Sequence, residues 1–597
     1  MNPAALDAFD EAVGRKRAKA DWMRALQRTA QIVPSSTDTI WALVDRQAAK
    51  APDAPALVGE KAQLSYGALV GLSNRVARWG RAQGLGRGHR VALFMRNSIY
   101  YPALWIGLAR IGVVTALVND RLVGDSLASA IATADARAIL CDAETALQAR
   151  AAAPTARVLA FGAEIDSVER LDEALAGVGD AALAEDERVA VTLADPALLI
   201  YTSGTTGLPK AARVSHFRIA MWAAWFAAIM DVSTDDRLYD CLPLSHSVGG
   251  VVAVGAMLIS GGAVVVRRGF SARRFWDDVR VSGATIFQYI GELPRYLLAS
   301  APQGTPPAHK LRLCIGNGLR GEIWNEFQSA FAVPRIIEFY AATEGVFSLF
   351  NLEGKPGAIG RIPPYLAQRT QVVLAKVDPV TGSLVRSRAG FALACDPEEV
   401  GEALGRLDSR AAMKFEGYTN ATASEAKILR DVFVKGDAWF RTGDLMRRDA
   451  AGYFSFVDRI GDTFRWKGEN VSTSEVAATL SRVRGVSDVA VYGVEVPGAD
   501  GRAGMAALAI RGEFDPDRLL RYAKLNLPGF AVPLFLRICP AIAATGTFRA
   551  KKADLLRDGF DPRRIEDPLY MLNADRTTYL RLNLKRYEMM TSTNVHI

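Results

Sequence analysis

Between Leu198 and Lys210 an apolar run leads into five hydroxyl side chains, Tyr201, Thr202, Ser203, Thr205 and Thr206. Two glycines, Gly204 and Gly207, are interleaved with them, and a lysine, Lys210, follows. Glycine lets successive backbone N–H groups converge on one anion, hydroxyls add donors, and lysine brings a mobile positive charge. The combination suits the oxygens of a polyphosphate. Its spacing is not that of a Walker loop, which sets glycine-lysine-serine or -threonine at a helix N-terminus, so P-loop ATPase chemistry is excluded. A short strand and a helix beginning near Ser215 are expected after the lysine.

Length and composition bound what must hold this loop. At 597 residues, half of them hydrophobic and 23% charged, the chain is expected to form two to four packed globular units. The net charge of +8 is dispersed, with no run of like charges, so no nucleic-acid arm is expected. Cys141, Cys241, Cys314, Cys395 and Cys539 are far apart, which excludes a CxxC metal site and a disulfide framework and fits a reducing compartment. The N-terminus mixes charge with apolar residues and reads as an amphipathic helix packed on the body, not a secretory signal. Ser247–Val266 is free of charge but punctuated by Gly249, Gly250, Gly255, Gly261 and Gly262, so it reads as helix, tight turn and buried strand rather than a membrane span.

Strand-like runs near residues 90, 137, 196, 284 and 311 alternate with helical patterns, which predicts an α/β architecture with mostly parallel buried strands. From about 365 to 445 the strand candidates shorten, and a β-rich subdomain is expected. After Arg459, Ser472–Glu475 fits a capping box, followed by an apolar run at 488–494 and a helix near 517–526. The expected organisation is an N-terminal helical extension (1–40), a large N-terminal domain of α/β subdomains plus the β-rich subdomain (41–458), and a small mobile α+β C-terminal domain (459–597). Asp458–Asp462 is the expected linker, with glycine to absorb rotation.

The hydroxyl loop resembles the signature loop of the AMP-forming adenylate superfamily of acyl-CoA synthetases, luciferases and adenylation domains. Further segments in order support the resemblance. Tyr340-Ala341-Ala342-Thr343-Glu344 is similar to a motif in which the aromatic ring borders adenine, the threonine contacts the α-phosphate and the glutamate helps hold Mg²⁺. Gly316-Asn317-Gly318 fits the turn along adenine. Thr442-Gly443-Asp444 resembles the motif whose carboxylate receives the ribose hydroxyls, and Arg459 the arginine beside it. His246 fits the position near the acyl carboxylate. The wording at 240–246, 288–297, 316–324, 458–475 and 489–505 is closer still to the fatty acid transport protein and very long-chain acyl-CoA synthetase branch.

That resemblance implies ATP and CoA as cosubstrates, Mg²⁺, and a long or very long fatty acid as substrate. It implies a first step in which the carboxylate displaces pyrophosphate from ATP, giving acyl-AMP, and a second in which CoA takes the acyl group. Lys467, Gly468 and Glu469 would then line the CoA side, with Gly461 and Asp462 as hinge. Two positions depart from the superfamily: Gly461 stands where the hinge is commonly Asp or Lys, and Arg549 stands where a lysine bridges carboxylate and α-phosphate, with Lys551 close behind. Arginine and lysine differ in geometry, and either residue could serve. A fatty acyl-AMP ligase feeding a carrier protein and a lipid-uptake or scaffold protein with weak catalysis are the alternatives. A cytoplasmic location, peripheral membrane contact and a homodimer are all compatible with the sequence.

Overall fold

The computed structural model describes residues 3–592 apart from 163, 167, 204–208, 302–305, 369, 379–380, 409–413, 461, 467–468, 498, 500 and 545–549, and every count or absence below refers to the described residues. The chain divides into two compact units: Met1–Ile362 with Leu407–Ile428, and Pro363–Arg406 with Leu429–Ile597.

The first unit holds two parallel sheets, as the alternation of apolar runs and helices predicts. One is seven-stranded, in the order 169–170, 158–161, 138–142, 90–94, 114–117, 196–203 and 209–215. Only its last pair is antiparallel, and that pair places Thr202 opposite Lys210. The other has parallel strands 55–58, 263–266, 237–240, 286–290, 313–317 and 336–341, extended by the antiparallel strand 348–351. Its strands are largely buried on both faces, hence their mostly apolar content. The charge-free stretch after His246 is a π-helical turn, Ser247–Ala253, a short helix, Val254–Leu258, and the buried strand Ala263–Val266. No helix is long and apolar enough to cross a membrane.

The N-terminal helix, Pro3–Thr29, lies on the helix His216–Ile229. Trp22 meets Trp225 and Phe350 edge-on at 5.7 and 5.9 Å. Trp225 and Phe226 are therefore core packing. Asp21, 2% exposed, pairs with Arg24 at 2.5 Å and with the buried Arg335, which precedes the strand Ile336–Ala341. The extension is thus part of the first unit.

The second unit contains an antiparallel ladder of strands 372–375, 400–406, 438–448 and 453–459, which is the β-rich segment expected from sequence. It also contains a five-stranded mixed sheet covered by the helices Thr473–Leu480 and Pro516–Asn526. The boundary expected at 458/459 falls inside this unit. The physical reason is Asp458: its buried carboxylate accepts from the amides of Thr473 at 2.9 Å and Ser474 at 3.3 Å, capping the helix that follows.

Removing one member of a buried ion pair leaves the other charge stranded, so Asp21→Ala should cost about 3–5 kcal/mol. A urea midpoint unchanged from the parent would show that Arg335 finds another partner or water. A second consequence concerns acid. Burial pushes His216 and His246 down to about 4, whereas an unfolded imidazole titrates near about 6.5. Below pH 6.5 the unfolded chain binds protons that the folded chain refuses, so stability falls as pH drops towards 4. Each ring contributes a slope of up to about 1.4 kcal/mol per pH unit. His216→Asn should flatten the decline by one proton's worth; an identical decline in parent and variant would mean His216 is already charged in the fold.

Candidate active site

At the end of the strand Pro196–Ser203, Thr202 Oγ1 donates to Glu344 Oε1 at 3.1 Å. The same carboxylate oxygen accepts from Tyr418 Oη at 2.6 Å. Lys210 Nζ stands over the Tyr418 ring, 6.0 Å from its centre, close enough for a cation–π contact. Thr343 Oγ1 and Ser247 Oγ are 3.0 Å apart and buried. His246 caps the π-helical turn, its Nδ1 accepting from Val248 N at 3.4 Å, and Glu344 pulls its pKa upward against the larger effect of burial. The first unit therefore gathers Thr202, Lys210, His246, Thr343 and Glu344, as the sequence predicts, and adds Ser247 and Tyr418.

The loop carrying His246 is held by Asn97. Its Nδ2 donates to Leu242 O at 2.7 Å and to Arg267 O at 2.9 Å, and its Oδ1 accepts from Leu244 N at 2.8 Å. Glycine is required in the turn that follows, because a Cβ on Gly250 would lie 1.7 Å from Leu244 O. The segment Thr343–Gly345 is held by Arg218, 6% exposed, which donates to Gly345 O at 2.8 Å and Lys414 O at 2.8 Å. Arg218 in turn lies 3.4 Å from Glu416, whose carboxylate accepts from Ser215 N at 2.7 Å and Ser215 Oγ at 2.6 Å. One guanidinium thus links the lysine strand's end, the glutamate motif and the tyrosine segment.

Gly316, Asn317 and Gly318 close the strand Leu313–Asn317, next to the strand carrying Tyr340, whose ring stacks on Phe347 at 5.6 Å. In the second unit, Asp444 and Arg459 face each other across two strands, Arg459 Nε 2.7 Å from Asp444 Oδ1. The strand just before Asp444 is braced by Glu402, which is fully buried and accepts from Gly443 N at 2.9 Å and Arg441 Nε at 3.0 Å. Asp462 lies 3.8 Å from Lys552 Nζ, which donates to Thr473 Oγ1 at 2.7 Å. Lys551 is exposed, fixed through its amide to Ala543 O at 2.7 Å. Gly204, Thr205, Thr206, Gly207, Gly461, Lys467, Gly468 and Arg549, and the side chains of Ser203 and Glu469, lie outside the described residues.

The residues fit one hard cation shared with a polyphosphate. Glu344 has one oxygen held by two hydroxyls, leaving the other to act as a ligand, and no group of three or more His, Cys, Asp or Glu forms a protein-only cage. Ser247, Asn97, Arg218, Glu416 and Tyr418 escape sequence reasoning because none stands in a chemical cluster of its own. Only Phe415-Glu416-Gly417-Tyr418, an aromatic pair around a glycine, offers a local signal.

The chain is similar to known proteins over most of its length. The family model described as AMP-binding enzyme matches residues 44–402. Long-chain fatty acid transport protein 1 of Mus musculus is 40% identical over 92% of this chain and 86% of its own length. Medium/long-chain-fatty-acid–CoA ligase FadD6 of Mycobacterium tuberculosis is 37% identical over 92% of this chain and 90% of its own. Among solved structures, the fold is that of the anthranilate CoA ligase AuaEII in complex with anthranoyl-AMP. The TM-score is 0.74 at 19% identity, over 88% of this chain and 97% of that one. ATP-bound MatB from Rhodopseudomonas palustris gives a TM-score of 0.70 at 24% identity, over 87% and 98%. The chain belongs to the AMP-binding enzyme family, within the branch that contains the long-chain fatty acid transport proteins.

Proposed function

We propose that the chain is a fatty acid–CoA ligase that forms AMP. The observation that carries this reading is the convergence on Glu344: a carboxylate held by Thr202 and Tyr418, with Lys210 over the same tyrosine and Thr343 next in sequence. Relatives named as fatty acid–CoA ligase and fatty acid transport proteins support the substrate class.

In the first step a fatty acid carboxylate oxygen attacks the α-phosphorus of ATP, and the bond from that phosphorus to pyrophosphate breaks. Charge on the phosphate oxygens is met by the Lys210 ammonium and by the Thr343 hydroxyl, which Ser247 holds in place. Glu344 would hold Mg²⁺, which when bound would supply positive charge against the phosphate oxygens. His246 is neutral at pH 7, because burial holds it near 4. With Nδ1 accepting from Val248 N, the ring proton is on Nε2, where it is a donor to the acyl carboxylate. Asp444 receives the ribose hydroxyls, with Arg459 beside it. In the second step the CoA sulfur attacks the acyl carbon, the bond to AMP breaks, and the thioester forms. Arg549 or Lys551 supplies the C-terminal cation of the first step.

With ATP, Mg²⁺, CoA and fatty acids of graded length, the purified chain should release AMP and pyrophosphate and accumulate acyl-CoA. ADP as product would overturn the reading, and AMP without thioester would move it to an acyl-AMP ligase. Glu344→Gln should slow pyrophosphate release about 100-fold, the scale of losing one preorganised charge at the reacting phosphate. Of Arg549→Ala and Lys551→Ala, one should lose adenylation; full rates in both would remove the C-terminal cation from the mechanism.

A further inference from the structure

The turn after the strand Leu313–Asn317 has no side chain of its own to fix it. Gly318 has φ of +101°, and the amides of Gly318 and Leu319 run off the end of the sheet. One side chain from the neighbouring strand receives both. Glu338 Oε2 accepts from Gly318 N at 3.0 Å, and Oε1 from Leu319 N at 3.0 Å. Oε1 also accepts from Tyr289 Oη at 2.6 Å. Tyr289 belongs to the strand on the other side, and its ring lies flat against Gly316, where a Cβ would come within 2.5 Å of a ring carbon. Gly291 N donates to Asn317 O at 2.7 Å, closing the brace. Glu338 therefore ties together the ends of three adjacent parallel strands.

The choice of residue is informative. Glu338 is 1% exposed and no lysine or arginine pairs with it among the described residues. Burial pushes its pKa up to about 8, against the pull of the three donors. An uncompensated buried carboxyl is costly, and an apolar side chain would pack without that penalty. What a carboxyl group offers here is two oxygens that between them accept from three donors. Glutamine in the same place would turn its amide –NH₂ towards a backbone N–H or the tyrosine hydroxyl. Strand alternation also puts Glu338 on the same face as Tyr340, two residues on.

We propose that Glu338, with Tyr289, is the positioning residue for the nucleotide base: it sets the Gly316–Leu319 turn as the wall along which adenine lies. The inference rests on the AMP-forming reading above. It predicts that the defect of Glu338 variants is confined to the nucleotide. In the full-length chain, Glu338→Gln should bind AMP about tenfold more weakly by calorimetry and raise KM for ATP about tenfold, the effect of one mispaired buried hydrogen bond. KM for the fatty acid should stay within about twofold, and the preference for AMP over GMP should narrow. Tyr289→Phe, which keeps both amide contacts, should weaken AMP binding about threefold. A lowered melting temperature with unchanged AMP affinity and unchanged KM for ATP would overturn the proposal and leave Glu338 a fold residue. Should Glu338→Gln not fold, Tyr289→Phe decides, and parental AMP affinity in that variant overturns the proposal. A parent chain that itself binds no AMP would instead sink the functional reading.

Discussion

The structure depends on glutamates that receive backbone amides left over by the strand ladders. A parallel strand satisfies its N–H groups through its neighbours only as far as the ladder runs, and beyond that each buried amide needs another acceptor. Glu338 takes the amides of Gly318 and Leu319, Glu402 that of Gly443, and Glu416 that of Ser215. Each acts from a different segment than the turn it braces. Loss of any of them would leave a buried donor unmade at a cost of about 1–3 kcal/mol, in a place where a ligand must be met.

These braces link unlike elements around one site. Thr202, Lys210, Thr343 and Tyr418 come from two strands of one sheet, a loop beyond the other, and a segment reached only after an excursion into the second unit. Arg218 secures the crossing by bonding backbone carbonyls as well as the Glu416 carboxylate. Main-chain contacts of this kind fix position without competing for the phosphate donors. Preorganisation of that sort lets charge stabilisation act without rearrangement during the reaction.

The residues legible in the sequence were those whose chemistry is local. Thr202 and Lys210 are read from a hydroxyl- and glycine-rich stretch and the strand runs from their apolar character, whereas Thr343 and Glu344 are read through the resemblance of Tyr340–Glu344 to the superfamily motif. Glu338 could not be read that way: alone in an apolar strand, its purpose appears only once Tyr289 and Gly318 lie beside it. Asn97, Arg218 and Glu416 are hidden for the same reason, since each is defined by backbone groups far away in sequence. The boundary expected at 458/459 was drawn from a change of pattern; Asp458, just before it, accepts from the amide of Thr473, which follows it.

The N-terminal helix has a consequence for how the chain is made. Its Asp21 finds Arg335 a full 314 residues later, and Trp22 waits for Phe350. At ribosomal speeds of about 5–20 residues per second, the helix emerges tens of seconds before the strand that neutralises it. During synthesis it exists as an amphipathic segment with an uncovered tryptophan, and chaperone capture or premature collapse competes with its eventual docking. An element translated early is thus completed only when residues some 314 positions later have been made.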